Sequence, residues 1–387
     1  MLKTLAIQNY RSLLRVALPL SQLNLVTGAN GSGKSNLYSA LRLLAETAQG
    51  GVVAALAREG GLASTLWAGP EKISQSMRRG EVSVQGSMRQ SPVRMKLGFL
   101  TQRFGYALSL GLPSPSESAF SRDPEIKREC IWAGGPFRPA SILIDRHGTS
   151  VKIRSTRDVS VRQQSMRLHE SFFSELSDPE QTPEVFYLRE MIRDWRFYDH
   201  FRSDREAPAR QAQIGTRTTV MHHDGRDLTA AIQTILEVGD ADALQKSIDE
   251  SFPGARLSVS VEDSGRFSLE FWQKGLLRPL SAYELSDGTL RFLLWVAALL
   301  TPRPPSMMVL NEPETSLHPD LLPALAGLIV RASQNTQVWV ISHSQTLIER
   351  IRDSGESTSI HLLKDMSETL IENQSSLDRP VWHWPTE

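Results

Sequence analysis

Apolar and polar positions divide the chain into stretches of different period. Leu23 to Thr27 read as a buried strand, and the helix-spaced Leu37, Leu41, Leu43 and Leu44 follow closely. Between Arg78 and Arg167 the texture changes to alternating, β-rich segments (EVSVQGSM, VRMKLGFL, RFGYALSLGL, ASILIDRHG, SVKIRS) separated by Pro, Gly and Ser. That pattern predicts an inserted antiparallel sheet. Three stretches after it read as helices: SMRLHESFFSELSD, PEVFYLREMIRDWRFYDHF and DLTAAIQTILEV, the last with apolar residues at helical spacing. Trp195, Phe197, Tyr198 and Phe201 read as helix packing rather than as base-stacking platforms. Periodicity stops over residues 203–218, a linker candidate, and there are no repeats or long heptads.

The 387 residues suggest two to three domains, or one domain with a large insertion, and 40% apolar with 22% charged residues excludes bulk disorder and fibrous classes. Lys and Arg total 43, as do Asp and Glu, yet the segment Arg78–Arg167 holds 16 basic and 7 acidic residues and carries +9, leaving −9 elsewhere. A lone Cys130 cannot form an internal disulfide, which fits a reducing cytosol. Polar residues from Gln8 to Ser12 interrupt any signal-peptide core. The longest apolar stretch, Phe292 to Leu300, is less than half of the ~20 residues a membrane span needs. No membrane partner is expected.

The strongest local motif is Gly28-Ala29-Asn30-Gly31-Ser32-Gly33-Lys34-Ser35, which fits GxxxxGK[ST] between a strand and a helix, the order a phosphate loop requires. Glycines let the backbone N–H groups and the helix N-terminus face phosphates, Lys34 reaches the β- and γ-phosphates, and the Ser35 hydroxyl ligates Mg²⁺. The expected cofactors are therefore ATP and Mg²⁺.

Downstream, LSAYELSDGTLRFLLWVAALLTPRPPSMMVLNEPETSLHP is followed by QVWVISHSQ. With the loop, this order resembles the ABC-type ATPase heads of the SMC and RecF class, and more narrowly the short AAA-type ATPases related to RecF and to the ATPase half of OLD proteins. Leu285 to Thr289 resemble the signature turn at a helix start, Met307 to Pro313 the Walker B strand, Ser316-Leu317-His318 the D-loop, and His343 the switch histidine. IQNYRSL resembles that family's first strands, where an arginine matching Arg11 approaches the nucleotide. The resemblance covers residues 1–48 and 280–364. It implies an α/β P-loop NTPase head of the ABC type with a mixed sheet and an inserted β-rich and helical lid. The corresponding division is 1–70 and 226–387 for the two halves of the head and 71–225 for the lid.

The resemblance also implies roles. ATP would contact Arg11, Asn30, Gly31, Ser32, Gly33, Lys34, Ser35 and Asn36, and a homodimer would sandwich it, with Ser286 and Gly288 donating to the γ-phosphate held by the other subunit. Glu312 would be the general base and His343 would sense the γ-phosphate, although a histidine at a strand end is also an ordinary polar position. The metal would be held at Ser35 and at position 311. There the family's carboxylate is replaced by Asn311, one negative charge fewer, which implies weaker metal binding and slow turnover. Glu314 is a candidate for the compensating carboxylate, with a structural D-loop role as the default reading. A glutamine loop is not identifiable, and Gly60 to Gly69 reads equally as a packed turn.

The basic middle suits phosphate backbones through Arg138, Arg146, Lys152, Arg154, Arg157, Arg162 and Arg167, or else is a solvated β surface paired with acids elsewhere. His222-His223 shows no third ligand nearby and reads as a surface turn; VWHWP reads as a packed tail. The first functional expectation is a dimerising ATPase acting on duplex DNA in repair or defence. The second is an ATP-gated scaffold controlling a protein effector with little hydrolysis. A transporter ATPase is disfavoured by the long stretch between Lys34 and Ser286, and an OLD-type nuclease by the short stretch after His343.

Overall fold

The computed structural model describes residues 1–85, 92–115, 117–154, 161–176, 178–374 and 379–386. The fold is mixed α/β and groups into two compact units, one of residues 1–21, 28–194 and 360–387, the other of 22–27 and 195–359. This division differs from the expected 1–70, 71–225 and 226–387, because the strands of the expected insert pair directly with the first strand of the chain.

In the first unit, with strands numbered along the chain, β1 (Leu2–Tyr10) pairs on one side with β2 (Leu13–Pro19) and on the other with β4 (Met95–Thr101). The antiparallel sheet continues through β5 (Phe104–Gly111), β6 (Glu125–Ala133), β7 (Ile142–His147), β8 (Ser150–Arg154) and β9 (Val161–Ser165). Alternation of period two sets this register, burying Leu97, Leu108, Ile131 and Ile144. A hairpin of β17 (Ser357–Asp365) and β18 (Glu368–Ile371) follows near the C-terminus. The tail packs as expected: Trp382 meets Trp132 edge-on at 5.8 Å and Trp384 at 5.1 Å.

Register also decides what the basic run can do. Glu129 and Arg146 stand directly opposite each other on β6 and β7, and both side chains are wholly buried. Arg146 donates to Glu129 Oε2 (3.4 Å) and to the carbonyls of Gly148, Arg167 and Glu170, while Glu129 also accepts from Tyr106, Ser171 and the Phe172 amide. The expectation that Arg146 meets DNA phosphates is therefore corrected: its guanidinium is an internal strut. It also draws residues 167–170 out of helical geometry, so the first expected helix shrinks to Phe172–Glu175. Arg167 pairs with Glu170 and Glu175. Arg138, Lys152 and Arg154 remain exposed. Arg157 lies outside the described residues, as does the Arg162 side chain on β9.

In the second unit a parallel sheet runs in the order β10 (Arg196–Tyr198), β15 (Met307–Asn311), β16 (Gln337–Ile341) and β3 (Leu23–Gly28). Continuous apolar strands are what burial on both faces demands, and every residue of β16 is buried. The helix Asp287–Leu299, apolar almost all round, fills the core with the helices Leu228–Val238 and Leu322–Ser333. A small antiparallel sheet of β11 (Gln213–Ile214), β13 (Arg266–Trp272) and β12 (Arg256–Val261), with β14 (Leu280–Ser281) on β13, completes the unit.

Two expectations change here. The helix predicted over 183–201 ends at Arg193, and Arg196–Tyr198 instead join the parallel sheet. Trp195, Tyr198 and Phe201 are buried, with Phe201 edge-on to Trp295 at 4.8 Å, so packing rather than base stacking is right but the element is a strand. The linker candidate is anchored. Buried Arg210 donates to the carbonyls of Ser203, Ala282 and Leu285 and to Asp287 Oδ1 at 2.8 Å. Among the described residues no helix is long and apolar enough to cross a membrane.

Removing one member of a buried ion pair strands the other, so Arg146→Ala should cost about 3–5 kcal/mol in urea denaturation. Lys152→Ala, which removes an exposed side chain of the same sheet, should stay within about 0.5 kcal/mol.

Candidate functional site

The expected site residues fall into two groups. Arg11 and Asn30 to Asn36 belong to the first unit; Ser286, Gly288, Asn311, Glu312 and His343 belong to the second.

In the first group the loop bends through Gly28, Gly31 and Gly33, all at positive φ (146°, 77° and 112°). A Cβ on Gly33 would lie 2.2 Å from Thr369 Oγ1, and one on Gly28 would lie 2.4 Å from the Leu362 carbonyl oxygen, so glycine is required at both. The helix Lys34–Thr47 opens with Gly33 at its N-cap, which offers no side-chain cap, leaving leading amides for an anion. Lys34 is buried and its ammonium donates to the carbonyls of Gly28 (2.6 Å) and Ala29 (3.1 Å). Ser35, Asn30 and Gly31 are exposed. Ser32 Oγ is buried with no hydrogen-bond partner among the described residues, and a buried polar atom of that kind calls for a ligand.

A polar knot holds the rear of the loop. Asn36 Nδ2 donates to Ser12 Oγ (2.7 Å), Ser12 Oγ meets Thr369 Oγ1 (2.6 Å), and Thr369 Oγ1 donates to the Ser32 carbonyl (2.8 Å). Asn36 thus serves the loop's support. Arg11 donates to Glu59 at 2.8 Å, and Tyr10 OH donates to the same carboxylate oxygen at 2.7 Å; burial, then that bond, pushes the Tyr10 hydroxyl pKa up. The Gly60 to Gly69 region is a packed turn: Arg11 N bonds the Thr65 carbonyl and Trp67 N the Asn9 carbonyl.

In the second group the parallel register sets Val26, Ile341 and Asn311 in one row across β3, β16 and β15. Every strand therefore delivers its next residues at the same edge, where α/β sheets carry their chemistry. Glu312 follows Asn311 at φ 49°, its amide held by the Ile341 carbonyl at 2.8 Å. Its Oε1 lies 3.5 Å from His343 Nδ1, and both side chains are about half exposed. Glu314 is buried, and its Oε1 accepts from Ser342 Oγ (2.7 Å), His343 N (3.0 Å) and Ser344 N (3.1 Å). It clamps the backbone that presents His343.

Ser286 caps the helix Asp287–Leu299, its Oγ accepting from Thr289 N, and a Cβ on Gly288 would lie 3.2 Å from the Ser316 carbonyl oxygen. Asn311 Nδ2 donates to Asp199 Oδ1 at 2.6 Å. Sequence reasoning missed Asp199, Ser12, Thr369 and Arg210. The first unit offers the exposed Ser35 hydroxyl, and within the second unit Asn311 and Asp199 carry oxygen donors; oxygens are the ligand atoms Mg²⁺ takes. Asp224 also supplies the third group that His222-His223 was expected to lack: His222 Nδ1 meets Asp224 Oδ1 at 2.7 Å, and ligand atoms of all three lie within 4.8 Å.

A family model described as "AAA domain, putative AbiEii toxin, Type IV TA system" matches residues 23–349. Among solved structures, an Smc head bound to the C-winged helix domain of ScpA superposes with a TM-score of 0.53 at 13% identity, over 97% of this chain and 98% of that one. The SMC head domain from Thermotoga maritima gives 0.46 at 13% identity, over 96% and 97%. The first of these likenesses is one of fold: the P-loop NTPase head. No curated protein sequence matches the chain.

The Glu314 clamp makes a direct prediction. Glu314→Ala should lose about 2–4 kcal/mol of stability because three donors lose a charged acceptor, whereas Glu314→Gln, which keeps an oxygen there, should lose about 1 kcal/mol. Denaturant midpoints at constant slope would show the difference.

Proposed function

The chain belongs to this AAA domain family, and from that membership we propose that it is an Mg²⁺-dependent ATPase that works as a dimer. The observation carrying this reading is the pairing of Glu312 and His343 at 3.5 Å, at the ends of parallel strands in register with the strand that feeds the phosphate loop. Amides of Gly31 to Ser35 and the Lys34 ammonium receive the phosphates, Lys34 exchanging its loop carbonyls for phosphate oxygens. Glu312 takes the proton of the attacking water, and His343 orients Glu312 and meets the γ-phosphate. Mg²⁺ would be held by oxygen donors such as the Ser35 hydroxyl and would supply neutralisation of phosphate charge. Ser286, which caps its helix, and Gly288 in the first turn act on the nucleotide of a second copy.

Duplex DNA is the second reading, in repair or in defence, and it draws on exposed Lys152 and Arg154, two residues apart on β8, with Arg138 nearby in sequence. Arg146 is internal and Arg167, though exposed, is paired with Glu170 and Glu175, so fewer unpaired cations face solvent than the sequence suggests, and the electrostatic attraction falls with each phosphate left unmatched. That shift gives more room to a dimer whose ATP state is read by a protein effector.

Sedimentation with ATP and Mg²⁺ should show Glu312→Gln as a stable dimer and Lys34→Ala as a monomer without bound nucleotide; monomers throughout would overturn the reading. Steady-state turnover, with Glu312→Gln as the blank, should be measurable above that blank. A rise with duplex DNA that disappears in Lys152→Glu/Arg154→Glu selects the DNA reading, and no rise selects the effector.

A further inference from the structure

An amide at position 311 looks like a lost charge only while the strand is read alone. The strand beside it changes that. β10 runs parallel to β15 with Tyr198 opposite Leu310, so the next residues, Asp199 and Asn311, emerge side by side at the same edge. Asn311 Nδ2 donates to Asp199 Oδ1 at 2.6 Å. An asparagine side chain has one nitrogen, which only donates, and one oxygen, which only accepts; with the nitrogen turned to Asp199, the oxygen faces away from it. Asp199 is exposed, and among the described residues no cation lies within ion-pair distance of it, so its charge is not cancelled.

The pair also explains why the residue is asparagine. An aspartate at 311 would set two carboxylates about a hydrogen bond apart, an arrangement that keeps one of them protonated unless a cation intervenes. Asparagine removes the conflict and converts it into a bond. The carboxylate beside position 311 in this chain comes from the neighbouring strand.

We propose that Asp199 and Asn311 together replace the single carboxylate that usually precedes the catalytic glutamate: Asn311 offers its oxygen to the water shell of Mg²⁺, and Asp199 is the positioning residue that aims it and supplies the missing negative charge. The proposal rests on the ATPase reading above and deepens it. Slow turnover then no longer follows from Asn311 alone.

The test uses the full chain, a non-hydrolysable ATP analogue, and Mn²⁺ as a paramagnetic probe titrated by EPR. Asn311 stands one hydrogen bond from the metal's water ligands, a place worth about 10- to 100-fold in metal affinity, and Asp199 aims it from one bond further out, so Asp199→Asn and Asp199→Ala should each weaken Mn²⁺ binding by about tenfold. Analogue affinity in EDTA should change by less than about twofold. The exchange Asp199→Asn/Asn311→Asp keeps the charge and the bond between the same positions, so it should bring Mn²⁺ affinity back to within about threefold, and it carries the test if a single variant fails to fold. Unchanged Mn²⁺ affinity in Asp199→Asn, with analogue binding still lost in Lys34→Ala, overturns the proposal and leaves the ATPase reading standing. Failure of the wild type to bind the analogue at all overturns that reading, and the proposal with it.

Discussion

Parallel pairing in exact register is the constraint on which the rest of the second unit depends. Asn311, Ile341 and Val26 stand in one row because β15, β16 and β3 are buried on both faces and each can slip only by exchanging its buried residues for polar ones. A slip of one residue would point the next side chains the wrong way. Held in register, the strands end together, and the residues that follow each of them need only a short turn to present a side chain. Glu312 makes that turn in the left-handed region, with its amide tied to Ile341 of the neighbouring strand.

Turns of this kind need support, and the support is polar and buried. Glu314 collects a hydroxyl and two amides behind His343; Arg210 collects carbonyls behind the signature turn and adds Asp287; Thr369 and Ser12 tie the back of the glycine loop. Each of these groups is costly to desolvate unless its bonds are made, so each fixes one backbone arrangement and penalises the others. The candidate site side chains Ser35, Glu312 and His343 stand on backbone held in this way while remaining exposed themselves to differing degrees.

Motifs whose meaning is local were legible in the sequence. The glycine loop with its strand and helix follows from period and motif, and the helix start at Ser286 and the strand before Glu312 came with the resemblance. What depends on pairing across the chain was not. β10 is three residues long, too short for any periodicity, so Asp199 carried no signal until Tyr198 was seen beside Leu310. A charge count treats Arg146 and Lys152 alike, yet the cross-strand partner Glu129 and the sheet's inward face make one a strut and leave the other on the surface. Arg210 lies in a stretch without apolar pattern, and its role appears only where Ala282, Leu285 and Asp287 converge on it. The SMC-type head, by contrast, was recognisable from the order of its motifs, and the family match and the fold agree with it.

Two copies that complete each other's ATP chemistry would reveal it most directly in specific activity measured against protein concentration at saturating ATP and Mg²⁺. Activity per protomer should rise with concentration and level off where sedimentation finds the dimer. A constant activity per protomer across concentrations at which the chain remains monomeric would contradict the claim, since one copy would then hydrolyse ATP without a partner's signature turn.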